Sequence, residues 1–147
     1  MRSAVWREEL TDPAKSQLQE DEQWVALAID AARKAVDIGE SPFGAVIVAS
    51  GEIIALTHNQ TNSTSDPTRH AEMVAIDRAI REHGTAILKS ATLYSSCAPC
   101  IMCLGAAYYS GIRRLVYSLR ISDVVARGSG DPSVEPDQLI RSCGLGT

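Results

Sequence analysis

The chain has 147 residues, with 45% hydrophobic and 22% charged content, the composition of a folded soluble domain with one core rather than of a disordered or membrane-embedded chain. Its formal net charge of −4 at pH 7 leaves it without an overall electrostatic footprint for a polyanion, which argues against nucleic acid as a partner. No apolar run approaches a membrane span and the N-terminal segment has no apolar signal core, so no membrane partner and a cytoplasmic location are expected. Against that net sum, Arg113, Arg114, Arg120 and Arg127 are the residues able to form a local basic face.

Residues 1–20 mix charge, Gln and Pro13 without periodicity and read as an N-terminal arm ahead of a single domain over residues 21–147. From Glu22 onward, Val25, Ala28, Ile29, Ala32, Ala35 and Val36 recur at helical spacing, predicting a first helix that stops near Gly39. A hairpin follows, with strands Ala45–Ala49 and Glu52–Leu56 around a turn at Ser50-Gly51. The polar run Asn59–Arg69 reads as loop. Asp66-Pro67 reads as the N-cap and first-turn proline of a second helix carrying Glu72, Val74, Ala75, Ile76 and Ile80 to a stop at Gly84. Ala91–Tyr94 is a short strand, the apolar stretch after Pro99 is a third helix closed by Ser110-Gly111, and Leu115–Tyr117 is another strand. After Asp123 the pattern weakens into a loop at Gly128–Pro132, and Glu135-Pro136-Asp137 opens a last short helix through Leu139 and Ile140. The order α-β-β-α-β-α-β-α predicts an α/β layered domain with its sheet covered by helices.

Cys97, Cys100 and Cys103 crowd into one short stretch, which favours metal binding over a disulfide framework, while Cys143 reads as an ordinary thiol. Cys100 and Cys103 share one face of a predicted helix, and Pro99 puts them at its start, where the helix dipole and unpaired N–H groups favour thiolates. His70 opens the other helix. Two thiolates and one imidazole give Zn²⁺ three ligands and leave the fourth position to water, as in catalytic rather than structural zinc sites. Glu72, two residues after His70, is a carboxylate placed to carry protons without binding the ion. Two readings compete. Cys97, Cys100 and Cys103 also open a ferredoxin-type cluster run, but Ala107 stands where its fourth cysteine belongs. A closed zinc using Cys97 or Cys143, as in a structural zinc or cluster-binding module, would have no need of Glu72. His58 and His83 read as packing or solvent-facing groups.

His70-Ala71-Glu72 with Pro99-Cys100-Ile101-Met102-Cys103 is the signature of the zinc nucleobase deaminases. From about Trp24 to Tyr117 the chain resembles the cytidine deaminase-like superfamily, and within it the bacterial guanine deaminases. The resemblance runs through Ser41-Pro42-Phe43-Gly44-Ala45-Val46-Ile47-Val48, Asn59, Asp66-Pro67-Thr68-Arg69-His70-Ala71-Glu72 and Leu93 to Ala106. It implies a three-layer α-β-α fold with a mixed central sheet, a Zn²⁺ cofactor, Glu72 as the catalytic residue and a small heterocyclic base as substrate. Hydrolysis of guanine to xanthine and ammonia comes first; another base or amino-heterocycle such as cytosine or an aminotriazine, and then a tRNA adenosine, are the alternatives. The resemblance also implies a pocket in which Phe43 stacks on the ring, Asn59 hydrogen-bonds its edge, Ala71 lies against it, Tyr109 forms part of the wall and Asp131 brings an acidic group near. A homodimer sharing the third helix from Leu104 to Tyr109 is expected as well. Two departures stand out. Ala98 replaces the glutamate usual before Pro-Cys, and the chain reaches Thr147 without the segment that closes over the site in guanine deaminases, so closure is expected from elsewhere.

Overall fold

The computed structural model describes residues 13–126, 128 and 135–142. Helix α1 (Pro13–Asp37, 25 residues) begins within the stretch expected to be an arm. Proline suits that opening position because its missing N–H would have had no intrahelical partner. The buried stripe of α1 is made of Ala28, Ala31, Ala32 and Ala35, small side chains that let the helix lie close to the sheet. Gly44 completes that approach: a Cβ there would stand 2.1 Å from the Ala28 carbonyl oxygen and 2.6 Å from the Ala32 nitrogen. Helix α1 ends in a Schellman motif. The Glu40 N–H donates to the Ala35 carbonyl at 2.9 Å, the Gly39 N–H donates to Val36 at 3.0 Å, and Gly39 takes φ +82°, where glycine has no Cβ penalty.

Strands β1 (Gly44–Ala49) and β2 (Glu52–His58) form the expected hairpin, with Ser50 at φ 52° and Gly51 at φ 77° supplying the two left-handed residues of a tight turn. β3 (Thr92–Cys97) and β4 (Arg114–Leu119) complete a four-stranded sheet ordered β2-β1-β3-β4. β1 is antiparallel to both neighbours, pairing Gly44 with His58 and Ala45 with Ser95, whereas β3 and β4 run parallel, Cys97 opposite Leu119. The sheet is therefore mixed, and its parallel pair is joined by helix α4 (Ile101–Ser110), which stops at Gly111 with φ 97°.

Alternation along β1 divides the core into two layers. Ala45, Ile47 and Ala49 pack with Ala71, Ala75, Ile76 and Ala79 of helix α3 (Ala71–His83) and with Ala107 of α4. Val46 and Val48 face the other way, toward Ala28 and Tyr94, with Trp24 and Val25 of α1 packed against them. This is the three-layer α-β-α arrangement expected from the sequence. Asp21 fastens α1 across the sheet: its carboxylate accepts from Arg114 Nη2 at 2.6 Å and Nη1 at 2.9 Å, and from the Tyr94 hydroxyl at 2.9 Å. The Arg114 guanidinium holds the Asp21 carboxyl below the usual carboxylate range.

Several elements differ from expectation. The presumed loop after Asn59 contains a short helix, α2 (Thr61–Thr64). Asp66 does not cap α3; its carboxylate accepts from the Thr68 N–H at 2.8 Å and hydroxyl at 2.7 Å, folding residues 66–68 into a local turn so that the helix starts only at Ala71. A 3₁₀ segment (Thr85–Ser90) precedes β3. Helix α5 (Ile121–Val125) stands where the pattern had seemed to fade, and α6 (Pro136–Ser142) is the expected last short helix.

Candidate active site

Two helix N-termini meet beyond the end of β3. His70 is the N-cap of α3 and Cys100 the N-cap of α4, so Cys103 lies in the first turn of α4 and the positive ends of both dipoles face one point. His70 Nδ1 stands 3.7 Å from Cys100 Sγ and 3.6 Å from Cys103 Sγ. Those separations test the site for zinc. A tetrahedral ion with Zn–S near 2.3 Å and Zn–N near 2.0–2.1 Å requires an N···S edge of about 3.6 Å, and the three donor atoms already have it. Among the described residues this is the group with metal-ligand spacing, every donor within 4.8 Å of the others. Cys97 lines the neighbouring cavity and is not part of that group; Cys143 lies outside the described residues.

The two thiols are shifted in opposite directions. Cys100 is pushed down to about 4, first by its interaction with the Cys103 side chain and then because His70 lies beside it. Cys103 is pushed up by that same interaction and by burial. A cation held by the group needs both sulfurs as thiolates.

Glu72 projects from the first turn of α3 and is 5% exposed. Its Oε1 accepts from the Ser95 hydroxyl at 2.9 Å, and its Oε2 accepts from Cys103 Sγ at 3.5 Å. Burial raises the Glu72 carboxyl above its ordinary range, against the pull of its own backbone N–H and of Ser95. Ser95 was not anticipated as part of the site, although strand alternation contains it. It sits two residues from Leu93 and two from Cys97, on the face turned toward α3 and α4.

The cavity beside these groups opens to solvent and is lined by Phe43, His70, Glu72, Cys97, Ala98, Cys100, Ile121, Val124 and Val125. Phe43 is one of these lining residues. Ala71, the first residue of α3, is fully buried in the core beneath the site. Asn59 is 2% exposed and is not among the residues that line the cavity; its N–H donates to the Phe43 carbonyl at 2.9 Å. Tyr109 is a correction: its side chain is 90% exposed, because α4 turns Cys103, Leu104 and Ala107 inward and so leaves position 109 pointing away. Asp131 lies outside the described residues. Further lining comes instead from α5, whose Ile121, Val124 and Val125 follow i, i+3, i+4 spacing. That aliphatic triplet was the signal in the sequence for this lining.

Two of the four arginines of the basic face allowed for in the sequence are paired with carboxylates. Arg114 pairs with Asp21 at 2.6 Å and Arg120 with Asp123 at 3.3 Å. Arg113 lies 4.5 Å over the Tyr108 ring, and Arg127 is outside the described residues. No helix among the described residues is long and apolar enough to cross a membrane.

Comparison with known proteins agrees with this geometry. The tRNA-specific adenosine deaminases of Aquifex aeolicus and Bacillus subtilis are 42% identical over 97 residues and 43% identical over 100, covering 66% and 68% of this chain and 64% and 62% of their own lengths. The chain thus spans less than two thirds of either. The guanine deaminase of Bacillus subtilis is 40% identical over 111 residues, 75% of this chain and 71% of that protein, and its crystal structure superposes with a TM-score of 0.71. The model of the cytidine and deoxycytidylate deaminase zinc-binding region matches residues 18–119, a span that takes in His70, Glu72, Cys100 and Cys103. With donors spaced for one tetrahedral zinc and a buried carboxylate beside them, the chain belongs to the zinc-binding cytidine and deoxycytidylate deaminase family, within the cytidine deaminase-like superfamily.

Proposed function

We propose that the protein is a hydrolytic deaminase of a free planar heterocyclic base, with guanine, converted to xanthine and ammonia, as the first substrate. The observation that carries this reading is the cavity. Phe43, Ile121, Val124 and Val125 line it together with His70, Glu72 and Cys100, an apolar lining with a few polar groups, as suits a site that takes a planar ring. His70, Cys100 and Cys103 hold the zinc, which when bound supplies Lewis-acid activation of water near neutral pH. Glu72 takes the proton from the attacking water and delivers it to the ring nitrogen next to the amino-bearing carbon. Water oxygen bonds to that carbon as a hydroxyl; Glu72 then takes the hydroxyl proton and passes it to the amino group, the C–N bond breaks as the C=O bond forms, and ammonia leaves. Ser95 keeps Glu72 Oε1 fixed through both transfers, and Phe43 stacks on the ring.

A tRNA adenosine is the second reading, because tRNA-specific deaminases are as similar to the chain as the guanine deaminase is. The paired arginines and the net charge of −4 favour the free base. A panel of bases and an anticodon stem-loop assayed for ammonia release, each at low and high salt, separates the two. Guanine turnover is expected to be nearly independent of salt, and Asn59→Ala to lower it roughly 10–100-fold by leaving the ring edge unpaired. Deamination of the stem-loop alone, falling steeply as salt rises, would overturn the guanine reading. If neither reacts, a smaller or differently substituted heterocycle such as cytosine or an aminotriazine takes its place, with Ala98 the residue that admits it.

Two copies are expected to pair through α4. Leu104 faces the core, but Ile101, Tyr108 and Tyr109 are exposed, so the apolar surface offered to a second copy is this outer face. Sedimentation at micromolar concentration should show a dimer; a monomer would end that proposal.

A further inference from the structure

Glu40 is a buried carboxylate that the reaction does not use. It is 6% exposed, it follows directly on the Schellman cap of α1, and that cap fixes its backbone through the N–H bond to Ala35. Its side chain crosses to the β2–α2 junction. Oε1 accepts from the Ser63 N–H at 2.7 Å, and Oε2 accepts from the Asn62 N–H at 3.0 Å and from Asn59 Nδ2 at 3.2 Å. The N-cap residue of α2, Gln60, makes no side-chain cap bond, so a carboxylate from another part of the chain caps this helix. These bonds hold the Glu40 carboxyl below its ordinary range.

The contact with Asn59 has a chemical consequence. A carboxylate offers only lone pairs, so the Asn59 amide must turn its NH₂ group toward Glu40; the second Nδ2 hydrogen goes to Thr61 Oγ1 at 2.8 Å. Both donors are then engaged, and Oδ1 is the side-chain polar atom of Asn59 outside these bonds. Glu40 also ties together two segments that border the site. The Asn59 N–H bonds the Phe43 carbonyl at 2.9 Å, and the Gln60 N–H bonds the Arg69 carbonyl at 2.9 Å, one residue before His70.

We propose that Glu40 is a positioning residue that sets the polarity of Asn59, so that Asn59 meets the substrate as an acceptor and the site selects a ring bearing an N–H donor on that edge. This rests on the free-base reading and on Asn59 as a substrate contact. Glu40 acts on binding and leaves the proton transfers of Glu72 untouched.

Steady-state kinetics of Glu40→Gln, Asn59→Ala and the double variant test it, with zinc content and Tm measured alongside. Glu40→Gln is expected to raise KM for guanine roughly tenfold while kcat stays within about threefold. The double variant is expected to be no worse than Asn59→Ala, because both changes remove one interaction. Thr61→Val, which removes the other acceptor on Nδ2 without touching Glu40, should raise KM in the same direction and serves if Glu40→Gln fails to fold. Guanines methylated singly at each ring N–H should include one that the wild type rejects and Glu40→Gln or Thr61→Val discriminates less. An unchanged KM, a loss confined to kcat, or additive effects in the double variant would overturn the proposal while leaving the deaminase reading intact. A wild-type protein inactive on every base would overturn the free-base reading, and this proposal with it.

Discussion

Glu72→Ala is expected to keep its zinc and its fold while turnover falls by at least 10²–10⁴-fold, the range for removal of a group that transfers protons in the rate-limiting step. Glu72 has no position in the ligand set: its Oε2 lies 3.5 Å from Cys103 Sγ as a hydrogen-bond acceptor, and its Oε1 is held by Ser95. Removing it therefore leaves His70 Nδ1 and the two sulfurs at their tetrahedral spacing. Stability should change little. A carboxyl buried to this degree and raised above its ordinary range is a group whose charged form the fold disfavours, so its loss should alter folding by about 1 kcal/mol or less, a shift of roughly 2–4 °C in Tm. Metal analysis, thermal melts and single-turnover ammonia release check the three parts. Turnover retained with zinc intact would remove Glu72 from the mechanism, and loss of zinc would make it a positioning group for the metal.

The chemistry of this chain was easier to read in its sequence than the geometry that frames it. His70, Glu72, Cys100 and Cys103 stand out because metal binding restricts residue type and spacing together. The hairpin at Ser50-Gly51 and the helix stops at Gly39 and Gly111 stand out because their backbone angles favour glycine or a left-handed turn. Helices α2 and α5 are harder to read for the opposite reason: at four and five residues they complete barely one turn, too short a stretch to establish a period. Asp66-Pro67 carried a sound helix-start signal that was used otherwise, since the Asp66 carboxylate is engaged by Thr68 and His70 takes the cap position. Tyr109 was placed in the pocket by resemblance, yet the face of α4 that points inward is decided by Cys103 and Ala107. Glu40 gave no local signal at all, because its partners lie 19 to 23 residues away.

Removal of the metal is expected to abolish activity and to reveal how the ligand set is protonated. At neutral pH and without the ion, Cys100, pushed down to about 4, is expected to be a thiolate, and Cys103, pushed up, is expected to keep its proton. Because binding requires both sulfurs as thiolates, zinc should displace about one proton per chain at pH 7, taken from Cys103. Calorimetric titration of apoprotein with zinc in two buffers of different ionisation enthalpy measures that number. As pH falls toward 4, Cys100 also becomes protonated, so the number released should rise and affinity should weaken. The site is built into the N-termini of α3 and α4, so the ion also braces the fold. With free zinc at about a thousandfold over Kd, linkage gives roughly 4 kcal/mol, or about 10 °C in Tm for a chain of this size. Chelation should remove that increment and all turnover, and zinc should restore both. Cys103→Ala should behave as the chelated protein does, whereas Cys97→Ala, which touches the cavity and not the ligand set, should keep its zinc. Zinc lost from Cys97→Ala, or uptake without proton release, would mean that the ion is held by a set other than His70, Cys100 and Cys103.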